Sequence, residues 1–215
     1  FGPAMTEYAM GWLLAIERNV ISRASHTHWT PSLEPRITGK RMGIMGTGGI
    51  GTAIAVAAKV FGLQVIGLNS DGRAVDGFAA CYPSADRLAF SEGLDYLVSV
   101  LPQTSQTDNL VDCEVLTRLN PGAIVINVGR GNAVLEADLI ASLNAGHLRA
   151  AVLDVFREEP LPPDDPLWST PGVHITSHTA GPTPDEAVAE VFERNLKLYI
   201  AGEPLTDAVR VGRGY

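Results

Sequence analysis

The stretch that decides the fold is Gly46–Gly51, which reads G-T-G-G-I-G. An apolar run directly precedes it, and a pattern typical of a helix follows it. Gly46 permits a tight turn, Gly48 lets another group approach the backbone, and Gly51 lets the helix pack closely on the strand. The spacing therefore predicts a strand, a tight turn and a helix whose N-terminus can bind an anion.

Beyond this turn, short apolar runs alternate with helical stretches, as in βαβ units. The predicted strands are Met42–Met45, Gln64–Leu68, Tyr96–Leu101, Ala123–Val128, Ala150–Val155 and Val173–Thr176. The predicted helices are Thr6–Ser22, with Thr6 as its N-cap, Ile50–Val60, Cys113–Leu119, Glu136–Ala145 and Pro184–Ala201. Strands without polar alternation are buried on both faces. We therefore predict an α/β fold with a doubly wound parallel sheet of the Rossmann type, flanked by N-terminal and C-terminal helices.

In this βαβ context the glycine turn predicts a dinucleotide site, although an isolated motif of this kind is often only a tight turn. The end of the second strand decides which dinucleotide binds, because a carboxylate there bonds the ribose 2′-OH and repels a 2′-phosphate. This position is the neutral Asn69, followed by Ser70, and Arg73 is close enough to bind a phosphate. We therefore predict that NADP(H) is preferred and NAD(H) is possible. Asp71 is the counter-argument, since a shift of register would return an acid to the ribose.

The composition of the 215-residue chain disfavours several classes of protein. With 46% hydrophobic and 19% charged residues, the chain is globular rather than disordered. Its net charge of −8 argues against nucleic acid as a partner. Cys81 and Cys113 lack C-x-x-C spacing, so we predict neither a disulfide scaffold nor a metal site. The early apolar run Ala9–Ile16 is too short for a membrane span and lacks a basic flank, so we expect no membrane association and a cytoplasmic location.

Three later segments each place a polar residue at the carboxyl end of a predicted strand. They are I-N-V-G-R-G at 126–131, L-D-V-F-R-E-E-P at 153–160 and I-T-S-H-T-A-G at 175–181. Doubly wound sheets bind their ligands at this edge, so an arginine, a carboxylate and an imidazole are expected there together. With these motifs, and from T-E-Y-A-M-G-W to the terminal R-G-Y, the sequence resembles the D-isomer-specific 2-hydroxyacid dehydrogenase family. It most resembles the glyoxylate/hydroxypyruvate reductase branch of that family.

The resemblance implies an NAD(P)H-dependent reduction of a small 2-oxo acid and a role for each charged residue. Arg130 matches the family arginine that binds the substrate carboxylate, a task suited to a planar, permanently charged group. His178 matches the acid that protonates the substrate carbonyl oxygen. Glu159 matches the carboxylate that orients this histidine and favours its charged form.

The motif and the resemblance together also imply which residues contact the coenzyme. Asp154 is expected beside the nicotinamide carboxamide, and Thr104 and Thr107 along the adenosine. The full predicted set is Gly46, Thr47, Gly48, Gly49, Ile50, Gly51, Asn69, Ser70, Arg73, Leu101, Pro102, Thr104, Thr107, Val128, Gly129, Arg130, Asp154, His178 and Ala180. No metal is predicted.

Two departures from the family pattern flank the catalytic histidine. Ser177 stands where proline is usual and Thr179 where isoleucine is common, so the approach of this turn can differ. Other readings stay open: a phosphoglycerate or formate type of dehydrogenase, or a non-catalytic dinucleotide-sensing module. His26, His28, His147 and His174 are interpreted as surface or core residues.

The resemblance also implies a domain organisation. Residues 1–40 are expected to form a linking and dimerisation helix and loop, 41–182 the dinucleotide-binding domain, and 183–215 a C-terminal helix and tail returning toward a substrate domain. That substrate domain precedes the first helix in the family, so we expect the chain alone to bind coenzyme with little turnover. We also expect a homodimer in which the Thr6–Ser22 helix contacts the partner, unless its apolar stripe covers the chain's own sheet.

Overall fold

A seven-stranded parallel sheet forms the centre of the computed structural model, which describes residues 2–31, 33, 35–206 and 208. The strands are β1 (Arg41–Met45), β2 (Gln64–Asn69), β3 (Cys81–Pro83), β4 (Tyr96–Ser99), β5 (Ala123–Asn127), β6 (Leu148–Leu153) and β7 (Val173–Ile175). Their spatial order is β3-β2-β1-β4-β5-β6-β7, so the direction of the winding reverses between β1 and β4. At such a switch point the loops diverge and leave a crevice at the carboxyl edge. The predicted doubly wound parallel sheet is confirmed.

Helices cover both faces of this sheet. They are α1 (Gly2–Glu17), α2 (Val20–Ala24), α3 (Gly49–Val60), α4 (Arg87–Ser91), α5 (Cys113–Leu116), α6 (Glu136–Asn144) and α7 (Asp185–Ala201). Successive strand residues alternate between two cores because side chains along a strand point to opposite faces. Ile44 packs in the core that holds α1 and α3, whereas its neighbour Met45 packs in the core that holds α4, α5 and α6.

Each predicted strand is present, with ends that differ by at most two residues. The prediction missed β3, which is three residues long, half-buried and at the edge of the sheet. It contains Pro83, which a sheet accepts at an edge because no neighbour there needs its missing N–H. The prediction also missed the five-residue α4, and α5 ends at Leu116 rather than at Leu119.

The first helix differs most from its prediction. It begins at Gly2, and Thr6 lies inside it and donates its hydroxyl to the Gly2 carbonyl oxygen at 2.7 Å, so the predicted N-cap is wrong. The helix ends at Glu17 because Asn19 adopts a left-handed conformation (φ 50°), which asparagine tolerates better than most residues. The apolar stripe, including Leu13, is buried against α3 and the sheet of the same chain. The predicted contact of this stripe with a partner is therefore replaced by an internal one.

The buried carboxylate of Glu17 links the end of α1 to the amino edge of the sheet through hydrogen bonds. Glu17 is 1% exposed and accepts hydrogen bonds from Lys40 Nζ at 2.8 Å, the Tyr96 hydroxyl at 2.8 Å and Arg149 Nη1 at 3.3 Å. Burial, together with the hydrogen bond to Glu17 and its charge, raises the pKa of Tyr96. Tyr96 therefore remains a donor at neutral pH, and the Glu17 charge is compensated within the fold.

The C-terminal helix α7 ends at Gly202, whose left-handed backbone (φ 70°) is typical of a helix C-cap. The terminal tail, including the R-G-Y at 213–215, lies outside the described residues. Among the helices that the structure describes, none combines the length and the apolar character needed to cross a bilayer.

Candidate active site

The glycine turn joins β1 to α3 at the carboxyl edge of the sheet, and two of its glycines are required by the fold itself. Gly46 has a positive φ of 102°, and its N–H donates to the Leu68 carbonyl oxygen at 2.9 Å. A Cβ at Gly51 would lie 1.9 Å from the Gly46 carbonyl oxygen, so the helix could not approach the strand with any larger residue there. These contacts fix the position of the first turn of α3 against the end of β1.

Gly48 has no such internal reason to be glycine. Its backbone is extended (φ −77°, ψ −166°), which any residue can adopt, and a Cβ built there meets nothing within 4 Å. It is the N-cap of a 12-residue helix whose first turn carries no acidic side chain. The free N–H groups of the helix N-terminus and the open space at Gly48 fit a diphosphate that approaches the backbone closely.

The turn after β2 is organised by Asn69, which is 7% exposed. Its amide donates to Thr47 Oγ1 at 3.1 Å and to the Arg73 carbonyl oxygen at 2.9 Å. Its Oδ1 accepts from the N–H groups of Asp71 at 3.3 Å and Gly72 at 2.7 Å. An amide group has two donors and two acceptor lone pairs, so this side chain is fully used in shaping the turn. Asn69 belongs to the predicted coenzyme-binding set, but its side chain has no spare hydrogen-bonding group for a ligand.

Arg73 and Asp71 form an exposed ion pair on the same turn, with Nη1 and Oδ1 3.0 Å apart. Desolvation opposes ionisation of Asp71, but the hydrogen bonds and the charge of Arg73 lower the pKa of this carboxyl overall. Both side chains are more than half exposed, and Ser70 between Asn69 and this pair is exposed as well. The Arg73 guanidinium is thus accessible to a ligand, but it already has an anionic neighbour.

The loop after β4 is held together by one buried hydroxyl. Thr107 Oγ1 donates to the Pro102 carbonyl oxygen at 2.6 Å and accepts from the Thr104 N–H at 3.0 Å. Leu101 is buried where this loop begins. The loop therefore has a defined shape beside the switch point, which suits the wall of a binding crevice.

The V-G-R-G segment after β5 is packed closely enough to require both of its glycines. A Cβ at Gly129 would lie 2.6 Å from both the backbone nitrogen and the carbonyl oxygen of Leu101, and one at Gly131 would lie 1.9 Å from the carbonyl carbon of Phe156. Between them Arg130 is exposed, and its Nη1 donates to the Gly129 carbonyl oxygen at 2.7 Å. The fold thus buries the backbone on both sides of Arg130 and leaves its guanidinium exposed.

Asn127 holds the backbone on both sides of Arg130, a role that the sequence motif does not predict. It is 1% exposed, donates to the Arg130 carbonyl oxygen at 3.1 Å and accepts from the Gly129 N–H at 3.2 Å. Val128 beside it is buried and donates its N–H to the Ser99 carbonyl oxygen of β4 at 3.0 Å. Asn127 is the one polar residue in the otherwise apolar predicted strand Ala123–Val128, and this is the sequence signal that could have identified it.

His178 and Glu159 are brought together from different segments of the chain. His178 Nδ1 lies 2.8 Å from Glu159 Oε2, and Glu159 Oε1 accepts the Phe156 N–H at 2.9 Å. The His178 side chain is 49% exposed, and its Nε2 makes no hydrogen bond to any residue that the structure describes. The carboxylate therefore orients the ring and leaves one nitrogen available.

The charges at this site lower the pKa of Glu159. Partial burial alone would raise it, but hydrogen bonds from His178 and from the Phe156 N–H, together with the positive charges of His178 and Arg130, outweigh that effect. Because the folded-state pKa is depressed, the contribution of this pair to stability is present above the ordinary glutamate pKa and is lost as the pH falls through the depressed one. Glu159 is therefore a carboxylate at neutral pH, beside an imidazole and a guanidinium.

Asp154 lies at the end of β6 beneath the turn that carries His178, and it is 1% exposed. Its Oδ1 accepts from the Thr176 hydroxyl at 2.5 Å and from the Thr179 N–H at 2.9 Å, while Oδ2 accepts from the Ala180 N–H at 2.9 Å. The sequence predicts Asp154 beside the nicotinamide carboxamide, whereas in the structure its carboxylate accepts hydrogen bonds from the 176–180 turn. The sequence predicts no role for Thr176.

Close backbone packing joins the glycine turn to the V-G-R-G segment that carries Arg130. A Cβ at Gly46 would lie 3.2 Å from the Val100 carbonyl oxygen, and Val100 and Leu101 in turn pack on Gly129. The predicted arginine, carboxylate and imidazole thus lie at the edge that also carries the glycine turn. Within the described residues, no group of three or more His, Cys, Asp and Glu side chains is arranged to hold a metal ion.

Comparison with known proteins identifies a family and several similar proteins. The family model described as "D-isomer specific 2-hydroxyacid dehydrogenase, NAD binding domain" matches residues 10–180. Glyoxylate/hydroxypyruvate reductase A of Yersinia enterocolitica is 38% identical over 188 residues, which are 87% of this chain and 60% of that protein. The chain therefore spans less than two thirds of this relative's length.

Two solved structures of similar proteins have nearly the same fold. A D-isomer-specific 2-hydroxyacid dehydrogenase family protein from Aeromonas salmonicida is 39% identical with a TM-score of 0.90, covering 98% of this chain and 69% of that one. The NADPH-dependent glyoxylate/hydroxypyruvate reductase of Sinorhizobium meliloti, in complex with NADP and sulfate, is 30% identical with a TM-score of 0.91. That comparison covers 100% of this chain and 70% of the reductase.

Proposed function

The chain belongs to the D-isomer-specific 2-hydroxyacid dehydrogenase family, and we propose that it supplies the coenzyme-binding and catalytic part of an NADPH-dependent reductase of a small 2-oxo acid. Glyoxylate and hydroxypyruvate are the substrates that the names of its relatives favour over those of other dehydrogenases. The observation that carries the proposal is the pair of His178 and Glu159, 2.8 Å apart, with the charge of Arg130 acting on the same carboxylate. A protein that only sensed a dinucleotide would not need these three groups together.

The coenzyme would bind along the carboxyl edge of the sheet. The N-terminus of α3 would hold the diphosphate over Gly48, and Ser70 and Arg73 would bind the 2′-phosphate of NADP(H). The loop of Pro102, Thr104 and Thr107 would form the wall beside the adenosine. When bound, the coenzyme supplies the hydride that reduces C2 of the 2-oxo acid.

The chain's own residues bind and protonate the substrate. Arg130 binds the substrate carboxylate, because its fork of N–H groups matches the two oxygens and, among the described residues, its guanidinium donates a hydrogen bond to the neutral Gly129 carbonyl oxygen rather than to a carboxylate. His178 donates a proton from Nε2 to the carbonyl oxygen, since Nδ1 is held by Glu159. Glu159 fixes the direction of the ring through its contact with Nδ1, so that Nε2 is left for the substrate.

Three further expectations belong to this proposal: the division into residues 1–40, 41–182 and 183–215, a homodimer and a cytoplasmic location. Two cysteines, Cys81 and Cys113, are unpaired, as is usual in a reducing compartment. Val20 and Ile21 of α2 are about half exposed, so they rather than the buried stripe of α1 are available to a partner.

The direct test is a substrate profile of the protein that carries this chain. We expect NADPH oxidation with glyoxylate and hydroxypyruvate, and a kcat/KM at least tenfold lower with a phosphorylated 2-oxo acid. Formate with the oxidised coenzyme serves as the second comparison and should give no reduction. A preference for the phosphorylated acid or for formate would contradict the proposed substrate class.

Arg73 should determine the preference for the phosphorylated coenzyme. Replacing Arg73 by alanine is expected to raise the Kd for NADPH about tenfold, which corresponds to about 1.4 kcal/mol, and to leave the Kd for NADH unchanged. Fluorescence titration of the two reduced coenzymes measures both constants. Lys59→Ala, which removes an exposed cation from the last turn of α3, is the matched control. Equal losses of NADPH and NADH affinity in Arg73→Ala would refute this role.

A further inference from the structure

The backbone of His178 is in a conformation that histidine rarely adopts. Its φ is 55°, in the left-handed region where a side chain with a Cβ is disfavoured. Such a conformation persists only where the surrounding structure holds it, and it is a common feature of functional sites. The groups that hold His178 in this state are therefore part of what aims its ring.

Asp154 holds the backbone on both sides of His178. Its carboxylate accepts the Thr176 hydroxyl before the histidine, and the N–H groups of Thr179 and Ala180 after it. The backbone carbonyl oxygen of Asp154 also accepts the N–H of His178 itself at 2.8 Å. Asp154 therefore accepts four hydrogen bonds from this one turn, three at its buried carboxylate and one at its backbone carbonyl oxygen, and it restrains the turn strongly.

The contact between Thr176 and Asp154 extends to the first helix. The Tyr8 hydroxyl lies 2.5 Å from Thr176 Oγ1, across 168 residues of sequence. Thr176 has one hydroxyl proton, which it gives to Asp154, so its oxygen must accept the proton of Tyr8. The hydrogen bonds therefore run in one direction, from Tyr8 to Thr176 to Asp154.

Tyr8 is well placed to remain the first donor in this series of hydrogen bonds. It is half-buried in α1, where its ring lies 6.4 Å from that of Trp12. Burial raises the pKa of the Tyr8 phenol, and this exceeds the opposing effect of its hydrogen bond to Thr176. The phenol thus keeps its proton throughout the neutral range.

We propose that Tyr8 is a positioning residue for His178, acting through Thr176 and Asp154. The donated hydrogen bond fixes the rotamer of Thr176, Thr176 and the turn fix the Asp154 carboxylate, and Asp154 holds the backbone that directs the His178 ring toward Glu159. The effect on catalysis rests on the function proposed above, whereas the effect on the ring does not. This assigns a role in the active site to a helix that lies outside the glycine turn and the catalytic loops.

Kinetics of four variants test the chain of contacts. We expect Tyr8→Phe to lower kcat about fourfold and Thr176→Val about tenfold, with KM and the Kd for NADPH unchanged, because neither residue is assigned a contact with either ligand. The double variant should equal Thr176→Val alone, because Tyr8 acts only through Thr176. Thr176→Ser keeps the hydroxyl and should restore most of the rate.

Tyr96→Phe is the matched control, since it removes a buried tyrosine hydroxyl bound to Glu17 at the opposite edge of the sheet. It should reduce stability without changing kcat. Multiplying effects in the double variant, or a fall in kcat of Tyr96→Phe equal to that of Tyr8→Phe, would overturn the proposal. Thermal unfolding of each variant shows that the comparison is made between folded proteins.

A second measurement does not depend on turnover. The NMR signal of the His178 ring proton is assigned by its absence in His178→Asn, and its position in Glu159→Gln marks the state without the ion pair. In Tyr8→Phe and Thr176→Val the signal should move toward that position at constant pH, and in Thr176→Ser and Tyr96→Phe it should not. An unchanged signal in Tyr8→Phe and Thr176→Val overturns the proposal. A shifted signal in a protein without reductase activity would instead support the positioning and refute only the function.

Discussion

Replacing His178 with asparagine is expected to lower kcat for glyoxylate reduction by about 10²- to 10⁴-fold, the range usual for loss of a general acid. Asparagine is chosen because it tolerates the left-handed backbone that this position requires (φ 55°). The Kd for NADPH should change by less than about twofold, since the glycine turn and Arg73 are untouched. Steady-state kinetics and coenzyme titration on the same preparation give both values.

His147→Asn is the matched control for this substitution. His147 precedes β6 at the amino edge of the sheet, and its Nε2 lies 3.0 Å from the Leu116 carbonyl oxygen. Its replacement should affect stability but not the rate. If His178→Asn retains the full rate, the proposed proton donor is wrong. A dinucleotide-sensing protein would keep its coenzyme-dependent output in this variant, so the experiment also separates the two classes of function.

Replacing Gly48 with aspartate is expected to change coenzyme binding and stability in opposite directions. Aspartate is a favourable N-cap and places a negative charge at the positive end of α3, so stability should stay the same or rise by about 0.5 to 1 kcal/mol. The same carboxylate occupies the space proposed for the diphosphate and repels it. The Kd for NADPH should therefore rise more than about 100-fold, a free-energy change of about 2.7 kcal/mol.

Two further variants serve as controls, one for the added charge and one for the loss of a glycine. Ser169→Asp adds the same charge at an exposed position before β7, and it should leave the Kd for NADPH unchanged. Gly51→Ala should lose stability instead, because its Cβ would lie 1.9 Å from the Gly46 carbonyl oxygen. Titration and thermal unfolding of the three proteins distinguish a glycine kept for a ligand from one kept for packing. Normal NADPH affinity in Gly48→Asp would contradict the proposal that the diphosphate binds at this turn.

The fold could be predicted because its signals are local. A buried parallel strand reads as a short apolar run, and the Gly46–Gly51 turn marks where the first strand becomes a helix. The elements that escaped prediction are short or depend on context. Cys81–Pro83 pairs only at the edge of the sheet, and the first helix ends at Glu17 because Asn19 has a left-handed backbone that no periodicity reveals.

The candidate site was predictable only in part, because residue types can be read from motifs but their hydrogen bonds cannot. Placing Asn69 at the end of β2 was within reach of the sequence, but the four hydrogen bonds that occupy its side chain were not. Asp154 was read as a coenzyme neighbour, and its contacts to the 176–180 turn required the relative position of β6 and β7. Tyr8 had no signal at all, since its partner is 168 residues away.

That long separation also orders the events of folding. The helix α1 is synthesised before the strand β7, so the Tyr8 hydroxyl has no partner until β7 has been added at the edge of the sheet. Contacts between such distant parts of a chain form late, because the intervening loop must be closed before they can contribute. We therefore expect the conformation of His178 to be among the last native features to form, so that incompletely folded molecules with a formed glycine turn do not yet have the proposed proton donor aligned.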